Sequence, residues 1–317
     1  MRSVGVVIVN WNTGDKLAAC VDSVFSSEQL AWAVDRVVVI DNASTDGSFQ
    51  RLESQCAEAK LELVQNNRNL GFAAACNEGA RLCMADVLLF LNPDTVLARN
   101  AISVAVGDMG KSLGSENGGV ISVVGIRILN ERSETLRTCS RFPSIDNYLL
   151  HLSGLDQVRC LRRWGRDMTE WDHKESRVVD QVMGAFFMVN RTQFVTLEGF
   201  DERFFVYYEE VDYCQRVRKI GGIVYFDAAG TVLHHGGVSA AASSGMSLYY
   251  SWRSQALYFQ KHMGGGAAII VGLGTLLIEP IARLVLSTFA PRRLPDGFWT
   301  AYSRVRHDLT SMLFHRE

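Results

Sequence analysis

Residues 87–94, which read VLLFLNPD, restrict most strongly what this chain can fold into. Consecutive apolar residues fit a strand buried on both faces of a parallel sheet, because a half-exposed strand would alternate with polar residues. Proline cannot donate to the ladder, so we expect the strand to end at Asn92. A turn aspartate after a core strand would look the same in isolation. In an open α/β sheet, however, Asp94 would lie at the ligand-binding edge.

Other apolar runs in the first hundred residues also stop on polar residues. Residues 4–9 precede the turn formers of 10–14, and residues 37–40 precede the polar stretch 41–47. Helical spacing of apolar residues between these strands predicts parallel crossovers and a Rossmann-like nucleotide-binding unit. No Gly-x-Gly-x-x-Gly and no Walker lysine loop occurs, which argues against dinucleotide and P-loop proteins.

The second half contains further strands around a carboxylate cluster. Residues 182–189 are expected to form one buried strand, in which Gly184 allows close approach of a ligand or another backbone. Glu209, Glu210 and Asp212 open a predicted helix, where acids also compensate the helix dipole without any catalytic role. His234 follows the next strand. Residues 131–174 show no clean helical or strand periodicity, and we expect them to form an insertion over the functional site.

Composition excludes several classes of protein. A net charge of −2 argues against a broad nucleic-acid surface. Seven cysteines without a Cys-x-x-Cys pair predict neither a disulfide framework nor a zinc site, and indicate reduced thiols in the cytosol. The first residues run into a strand without a signal-peptide pattern, so export is not expected.

The C-terminal region has a different character. Residues 267–278 are almost wholly apolar, and Glu279 and Pro280 are expected to interrupt the stretch before it could span a bilayer. Such a segment suits a helix lying in a membrane interface, which we expect, or a hydrophobic helix packed on the domain. The basic residues that follow are Arg283, Arg292, Arg293, Arg304 and Arg306.

Taken in order, these pieces resemble the inverting glycosyltransferases of family 2, which have the GT-A fold. The narrower resemblance is to bacterial rhamnosyltransferases that use a deoxythymidine-diphosphate (dTDP) sugar. The matching pieces are VIVNWN at 7–12, DNASTDGS at 41–48, NLGFAAACNEG at 69–79, NPD at 92–94, GAFFMV at 184–189, GFDERFFVYYEEVDYCQR at 199–216 and HHGG at 234–237.

The resemblance implies an α/β architecture in which a single, mixed, mainly parallel Rossmann-like sheet is flanked by helices. It implies a glycosyltransferase domain over residues 1–262, with a nucleotide-binding half at 1–106 and an acceptor and catalytic half at 120–262. Residues 263–317 would form a helical, membrane-associating extension.

The resemblance also implies a site. Asp94 would hold a divalent cation, Mg²⁺ or Mn²⁺, since hard cations prefer oxygen ligands, and His234 would be a second contact to the metal or to the diphosphate. The family's usual Asp-x-Asp is Asn-Pro-Asp here, so Asn92 supplies a neutral oxygen. Glu210 would be the base and Glu209 an acceptor contact or orienter, although the two roles could be exchanged. Donor-binding residues would be Asn10, Asn12, Asp41, Asn42, Arg68, Gly71 and Asn92, and acceptor or orienting residues would be Asp212 and Trp252.

The function implied by the resemblance is inverting transfer of a sugar, expected to be L-rhamnose from dTDP-rhamnose. The acceptor would be lipid-linked or a polysaccharide, in cell-envelope glycan synthesis at the cytoplasmic face of the inner membrane. Three alternatives stay open: another donor sugar, a non-catalytic sugar-nucleotide-binding scaffold, and a nucleotidyltransferase. The last lacks a glycine-rich Arg/Lys loop near the first strand.

Overall fold

A computed structural model describes residues 2–29, 32–56, 58–113, 119–236, 245–289 and 296–314. The chain divides into two compact units. The first unit comprises Met1–Arg141, Trp171–Arg203 and Glu209–Val238, and the second comprises Phe142–Glu170, Phe204–Tyr208 and Ser239–Glu317. Gly237, which belongs to the HHGG piece, and the arginines at 292 and 293 lie outside the described residues.

Strands and helices alternate through the first unit, whereas the second unit is mainly helical. The strands are β1 (Arg2–Asn10), β2 (Trp32–Asp41), β3 (Leu61–Gln65), β4 (Val87–Leu91), β5 (Thr95–Leu97), β6 (Ile121–Leu129), β7 (Cys139–Ser140), β8 (Arg177–Val179), β9 (Gln181–Val182), β10 (Phe186–Asn190) and β11 (Ile223–His234). The helices are α1 (Lys16–Phe25), α2 (Ser48–Gln55), α3 (Phe72–Leu82), α4 (Ala101–Asp108), α5 (Ile145–Leu152), α6 (Arg191–Thr196), α7 (Glu209–Lys219), α8 (Gly245–Met263), α9 (Gly265–Leu273), α10 (Glu279–Phe289) and α11 (Phe298–Phe314).

Within the described residues, one nine-stranded sheet forms the core of the first unit. Its order is β3-β2-β1-β4-β10-β6-β11-β5, and β8 pairs with β11 off this path. The strands β1 to β4 run parallel to their neighbours in this group, which confirms the predicted crossovers. Every residue of β4 is buried, so the predicted central strand is also confirmed. It ends at Leu91, one residue before the predicted Asn92.

The single strand expected over residues 182–189 is wrong. The structure divides this run into β9, which pairs with β7 in a separate small sheet, and β10, which lies between β4 and β6. Met183 still donates to the carbonyl of Thr138 beside the small sheet, whereas the carbonyl of Ala185 accepts from the Asn92 amide beside the large one. The chain therefore changes sheets at Gly184. Buried side chains on both sides conceal this change in the sequence.

The second unit contains α5 within the segment that shows no clean period. Ser144 caps this helix, because its side chain accepts from the Asn147 amide at 3.2 Å while the Asn147 side chain accepts from the Ser144 amide at 2.9 Å. The helices α8 and α11 pack together around Trp252, Ala256, Phe298, Ala301, Val305 and Leu309.

Glu279 and Pro280 do not limit the apolar helix as expected, because α9 continues into α10 through a π-helical turn at Gly274–Ile278. In this turn Glu279 donates to the carbonyl of Gly274. Proline has no N–H for the carbonyl of Leu276, four residues earlier, and the Tyr302 hydroxyl donates to that carbonyl instead, at 2.8 Å.

The continuous helix Gly265–Leu284 has the length and apolar composition that could cross a membrane. Core helices of soluble proteins share these properties, and one third of its most apolar stretch is buried within the protein.

Candidate active site

The ends of β1 and β2 are joined by their own side chains. Asn10 lies opposite Asp41 in the sheet, and both side chains are fully buried. The Asn10 amide donates to Asp41 Oδ1 at 2.7 Å and to the Ser48 hydroxyl at 2.8 Å, while the Ser44 backbone amide donates to Asp41 Oδ2 at 3.0 Å. Buried polar groups keep their place only when they are paired. These contacts therefore fix the Asp41 carboxylate in one orientation.

The neighbouring loops are tied to the same strand ends. The side-chain amide of Asn42 donates to the carbonyl of Gly71 at 3.1 Å, and Gly71 has a φ of 90°, a conformation that glycine adopts readily. The Asn12 backbone amide shares the Ser44 hydroxyl with Asn10. The structure thus brings five predicted donor-binding residues together: Asn10, Asn12, Asp41, Asn42 and Gly71. Arg68 is exposed in the loop before Gly71.

Asp94 and His234 lie in direct contact. His234 ends β11 opposite Thr95 of β5, and its Nε2 is 3.1 Å from Asp94 Oδ1. The backbone amide of His235 donates to the carbonyl of Asp94 at 3.0 Å, which fixes the two strand ends to each other. Asp94 Oδ2 is buried and has no hydrogen-bond partner among the described residues.

This pair fits a cation that is shared with a substrate. Within the described ranges, no group of three or more His, Cys, Asp or Glu side chains is arranged to hold a metal ion. Magnesium commonly uses one or two protein ligands and takes its remaining oxygens from phosphates and water. Asp94 Oδ2 and His234 Nε2 could supply two such ligands. Asn92, by contrast, uses its backbone, since its amide donates to Ala185 and its carbonyl accepts from Thr95 at 2.7 Å.

The paired acids open α7, as the sequence predicts. Glu209 is 4% exposed, and its Oε2 has no hydrogen-bond partner in the described part of the chain. Burial and the adjacent charge of Glu210 raise the pKa of Glu209 well above its usual value. Glu210 is only half-buried. The two residues therefore differ in overall burial, and Oε2 of Glu210 is itself shielded from solvent.

Glu210 is close to the point where the chain changes sheets. A Cβ atom on Gly184 would lie 4.0 Å from both Cβ and Cγ of Glu210. The next residue, Ala185, accepts from the Asn92 amide at 3.0 Å, and Asp94 follows two residues later. Glu210 and the Asp94–His234 pair therefore lie at one edge of the sheet, beside the carboxyl end of β4.

Asn77, which the sequence did not single out, stabilises the loop that precedes α7. Asn77, on α3, is buried and donates to the Phe200 carbonyl at 2.8 Å and to the Glu202 carboxylate at 3.0 Å, and it accepts from the Phe200 amide at 2.9 Å. Gly199 lies so close that a Cβ atom there would be 2.5 Å from Asn77 Oδ1. The only sequence signal for Asn77 was its presence in the matching piece at 69–79.

Aromatic packing and an ion pair support the same loop. Phe200 packs edge-on or tilted against Phe90, Phe187, Phe194 and Tyr213, with ring centroids 4.9–5.9 Å from its own. Asp212 is fully buried and accepts from Arg216 at 2.8 Å. Arg216 also donates to the carbonyls of Leu197 and Gly199 at 2.5 and 2.7 Å. Asp212 thus orients an arginine that holds the loop before the acids.

Trp252 lies in the core of the second unit. It is 3% exposed, donates from Nε1 to the Glu279 carboxylate at 2.7 Å, and packs edge-on against Phe298. These contacts give Trp252 a packing role in that unit, and its predicted acceptor role stays a prediction.

Comparisons with known proteins agree with this geometry. The profile of the family described as "Glycosyl transferase family 2" matches residues 5–157. The N-acetylglucosaminyl-diphospho-decaprenol L-rhamnosyltransferase of Mycobacterium tuberculosis is 24% identical over 250 residues, which cover 73% of this chain and 75% of that protein.

Two solved structures show the fold. A mannosyltransferase from Pyrobaculum calidifontis in complex with GDP-Man and Mn²⁺ is 15% identical and superposes with a TM-score of 0.51 over 99% of this chain and 88% of its own. GalNAc-T7 with UDP, GalNAc and Mn²⁺ is 18% identical, with a TM-score of 0.53 over 74% of this chain. Our chain spans less than half of GalNAc-T7, 44% of its length. With its mixed sheet, its strand-end polar network and these matches, the chain has the GT-A fold, and its residues 5–157 match the model of glycosyl transferase family 2.

Proposed function

We propose that this protein transfers L-rhamnose, with inversion, from dTDP-rhamnose to a lipid-linked acceptor in cell-envelope glycan synthesis. The observation that carries the proposal is the position of Glu210 and the Asp94–His234 pair at one edge of the sheet. The name of the M. tuberculosis relative, which specifies an L-rhamnosyltransferase acting on a diphospho-decaprenol, supports the choice of sugar and acceptor.

Glu210 is the proposed base. Inversion needs a carboxylate that takes the proton of the acceptor hydroxyl as this oxygen attacks the anomeric carbon from the face opposite the diphosphate. A base must reach its substrate, and Glu210 is half-buried beside Gly184, where no side chain intervenes. Glu209 is buried, and its raised pKa favours the protonated form. A neutral Glu209 leaves the charge on Glu210 and orients it.

Asp94 and His234 are the proposed ligands of Mg²⁺ or Mn²⁺. A bound cation neutralises the charge that develops on the leaving diphosphate. Asp94 Oδ2 has the free lone pairs that such a role needs, and the strand-end contacts hold both side chains without help from the metal. Asn92 orders the turn through its backbone and places Asp94 beyond the sheet.

The donor's nucleoside is proposed to lie over the ends of β1 and β2. Asp41, fixed by Asn10 and Ser44, would accept from the pyrimidine base. Gly71 would let the backbone approach the nucleotide. Arg68, which is exposed in the same loop, would face its phosphates. Asn12 and Asn42 hold the loops that border this surface.

The C-terminal extension is proposed to attach the enzyme to the cytoplasmic face of the membrane without crossing it. One face of the continuous helix is packed inside the second unit, since Val271 and Thr275 are buried and the Tyr148 hydroxyl donates to the Val271 carbonyl at 3.0 Å. The opposite face exposes apolar side chains at helical spacing. These are Ile270, Leu273, Leu277, Ile281 and Leu284. A helix with one face bound to protein and one apolar face exposed suits the interface plane.

A donor screen tests the proposal. The purified full-length protein is incubated with Mg²⁺ or Mn²⁺ and a panel of nucleotide sugars, with and without a crude bacterial lipid extract, and released nucleoside diphosphate is measured. We expect release from dTDP-rhamnose that lipid extract stimulates and a chelator abolishes. Release from another nucleotide sugar alone would refute the choice of rhamnose, and binding of dTDP-rhamnose without release under any condition would favour the scaffold alternative.

A further inference from the structure

The second unit carries a basic aromatic segment that the proposed chemistry does not use. Residues 157–166, which read QVRCLRRWGR, contain four arginines and no acid. They follow α5 and a short 3₁₀ turn at Leu155–Gln157, and a second such turn lies at Arg162–Trp164. We call residues 155–164, which contain three of these arginines and also Asp156, the Arg-Trp segment.

The Arg-Trp segment presents apolar and cationic groups side by side. Leu155, Val158 and Trp164 are 44–52% exposed. The Arg163 guanidinium lies 4.1 Å from the centroid of the Trp164 ring. A cleft of about 640 Å³ opens here, lined by Arg159, Cys160, Leu161, Arg163, Trp164 and Glu170.

Arginines outnumber the acids in and next to the segment by one, since residues 155–170 contain four arginines against Asp156, Asp167 and Glu170. The Asp156 carboxylate contacts His151 Nδ1 at 2.7 Å, and the guanidinium of Arg166, just beyond the segment, donates to the Tyr208 hydroxyl at 2.7 Å. Glu170 is the one acid that lines the described cleft, against two arginines. The residues that face outward are therefore mainly arginines, a tryptophan and aliphatic side chains.

The segment is attached to the apolar helix of the C-terminal extension. α5 packs on that helix through Tyr148, whose hydroxyl donates to the Val271 carbonyl. Leu152, at the end of α5, would lie 3.0 Å from a Cβ atom on Gly274. The Arg-Trp segment begins three residues after Leu152, so it belongs to the same packed unit as the exposed stripe from Ile270 to Leu284.

We infer that the Arg-Trp segment is a second membrane contact, which binds the headgroups of anionic lipids. Tryptophan and arginine suit the boundary between headgroups and acyl chains, because each combines a large apolar or stacking surface with a polar end. Arginines near an anionic surface are attracted to it by charge. The inference deepens the proposed attachment of the C-terminal helix and rests on it, since the two features share one unit.

The test is co-sedimentation of the full-length protein with vesicles of phosphatidylcholine alone or with about 30% phosphatidylglycerol. Each arginine near such a surface contributes about fivefold to binding, so R159Q/R163Q is expected to weaken binding to the anionic vesicles roughly 25-fold. The matched control is R81Q/R132Q, which removes two exposed arginines of the first unit and should bind as the wild type does. Circular dichroism checks that both variants are folded.

Anionic binding that is the same for R159Q/R163Q and the wild type would overturn the inference. A second measurement uses brominated lipid, which quenches tryptophan fluorescence on contact. W164F should show less quenching than the wild type, because one contacting tryptophan is removed. Equal quenching in both proteins would also refute the contact. Release of nucleoside diphosphate in detergent is measured in parallel. Normal release by R159Q/R163Q would show that the variant has lost membrane binding while the proposed sugar transfer is intact.

Discussion

Replacing Asn77 by alanine should destabilise the first unit. Asn77 pairs with both the amide and the carbonyl of Phe200, at 2.9 and 2.8 Å, and also with Glu202 at 3.0 Å. Phe200 is 3% exposed, so water cannot readily replace these contacts. Each buried backbone group left without a partner costs about 1–3 kcal/mol, which gives about 2–6 kcal/mol for the two groups.

The measurement is equilibrium urea denaturation, followed by circular dichroism and by tryptophan fluorescence. Arg81→Ala is the matched control, because Arg81 is exposed on the same helix and both arginine and alanine favour helices. We expect this control to change the free energy of unfolding by less than about 0.5 kcal/mol. A loss in Asn77→Ala no larger than in Arg81→Ala would refute the argument that the Phe200 backbone depends on Asn77.

Three further predictions concern the acids, the metal ligands and the helix. The pKa of Glu209 is raised in the folded state, so its contribution to stability is complete below about pH 4.5 and is lost as pH rises through the raised pKa. Glu209→Gln should therefore make the free energy of unfolding, measured by urea denaturation, depend less on pH. The same dependence on pH in Glu209→Gln and the wild type would count against this prediction. Asp94→Asn and His234→Gln should weaken Mn²⁺ binding about tenfold or more in calorimetry with nucleoside diphosphate present, whereas His235→Gln, whose ring contacts Glu131 at 3.3 Å, should not. Tyr302→Phe should lower the free energy of unfolding by about 1 kcal/mol, and a neutral result would contradict the role of its hydroxyl beside the proline.

The sequence predicted the parts of the fold that local patterns determine. The apolar run before Asn92 predicts a central strand because a strand buried on both faces needs no polar alternation, and β4 is such a strand. The resemblance placed Asn10 and Asp41 at one edge of the sheet, where the ends of neighbouring parallel strands meet, but the hydrogen bond between them was not predicted.

Features that depend on distant partners were not predictable in this way. Asn77 reads as an ordinary helix residue, and its partner Phe200 lies 123 positions away along the chain. The change of sheets at Gly184 is invisible because both flanking strands are buried. Pro280 was expected to interrupt the apolar stretch, whereas the helix continues past it through a π-helical turn and the Tyr302 hydroxyl. In each case the deciding contact joins segments that are far apart in sequence.

The environments of Glu209 and Glu210 were likewise beyond the sequence. Neighbouring glutamates have equal intrinsic acidity, and which of them is buried depends on how α7 packs on the sheet. Burial of Glu209 and the space beside Gly184 distinguish the two acids. This difference is the basis for assigning the proton transfer to Glu210.

The central claim is tested most directly by comparing the turnover of Glu210→Gln and Glu209→Gln with the wild type. Release of nucleoside diphosphate from dTDP-rhamnose is measured with Mn²⁺ and lipid acceptor, and donor affinity is measured separately by calorimetry. A general base contributes about 10²–10⁴-fold, so Glu210→Gln should lose at least about 10²-fold in kcat with unchanged donor affinity, while Glu209→Gln retains most of its turnover. Normal turnover in Glu210→Gln, or a larger loss in Glu209→Gln, would contradict the assignment.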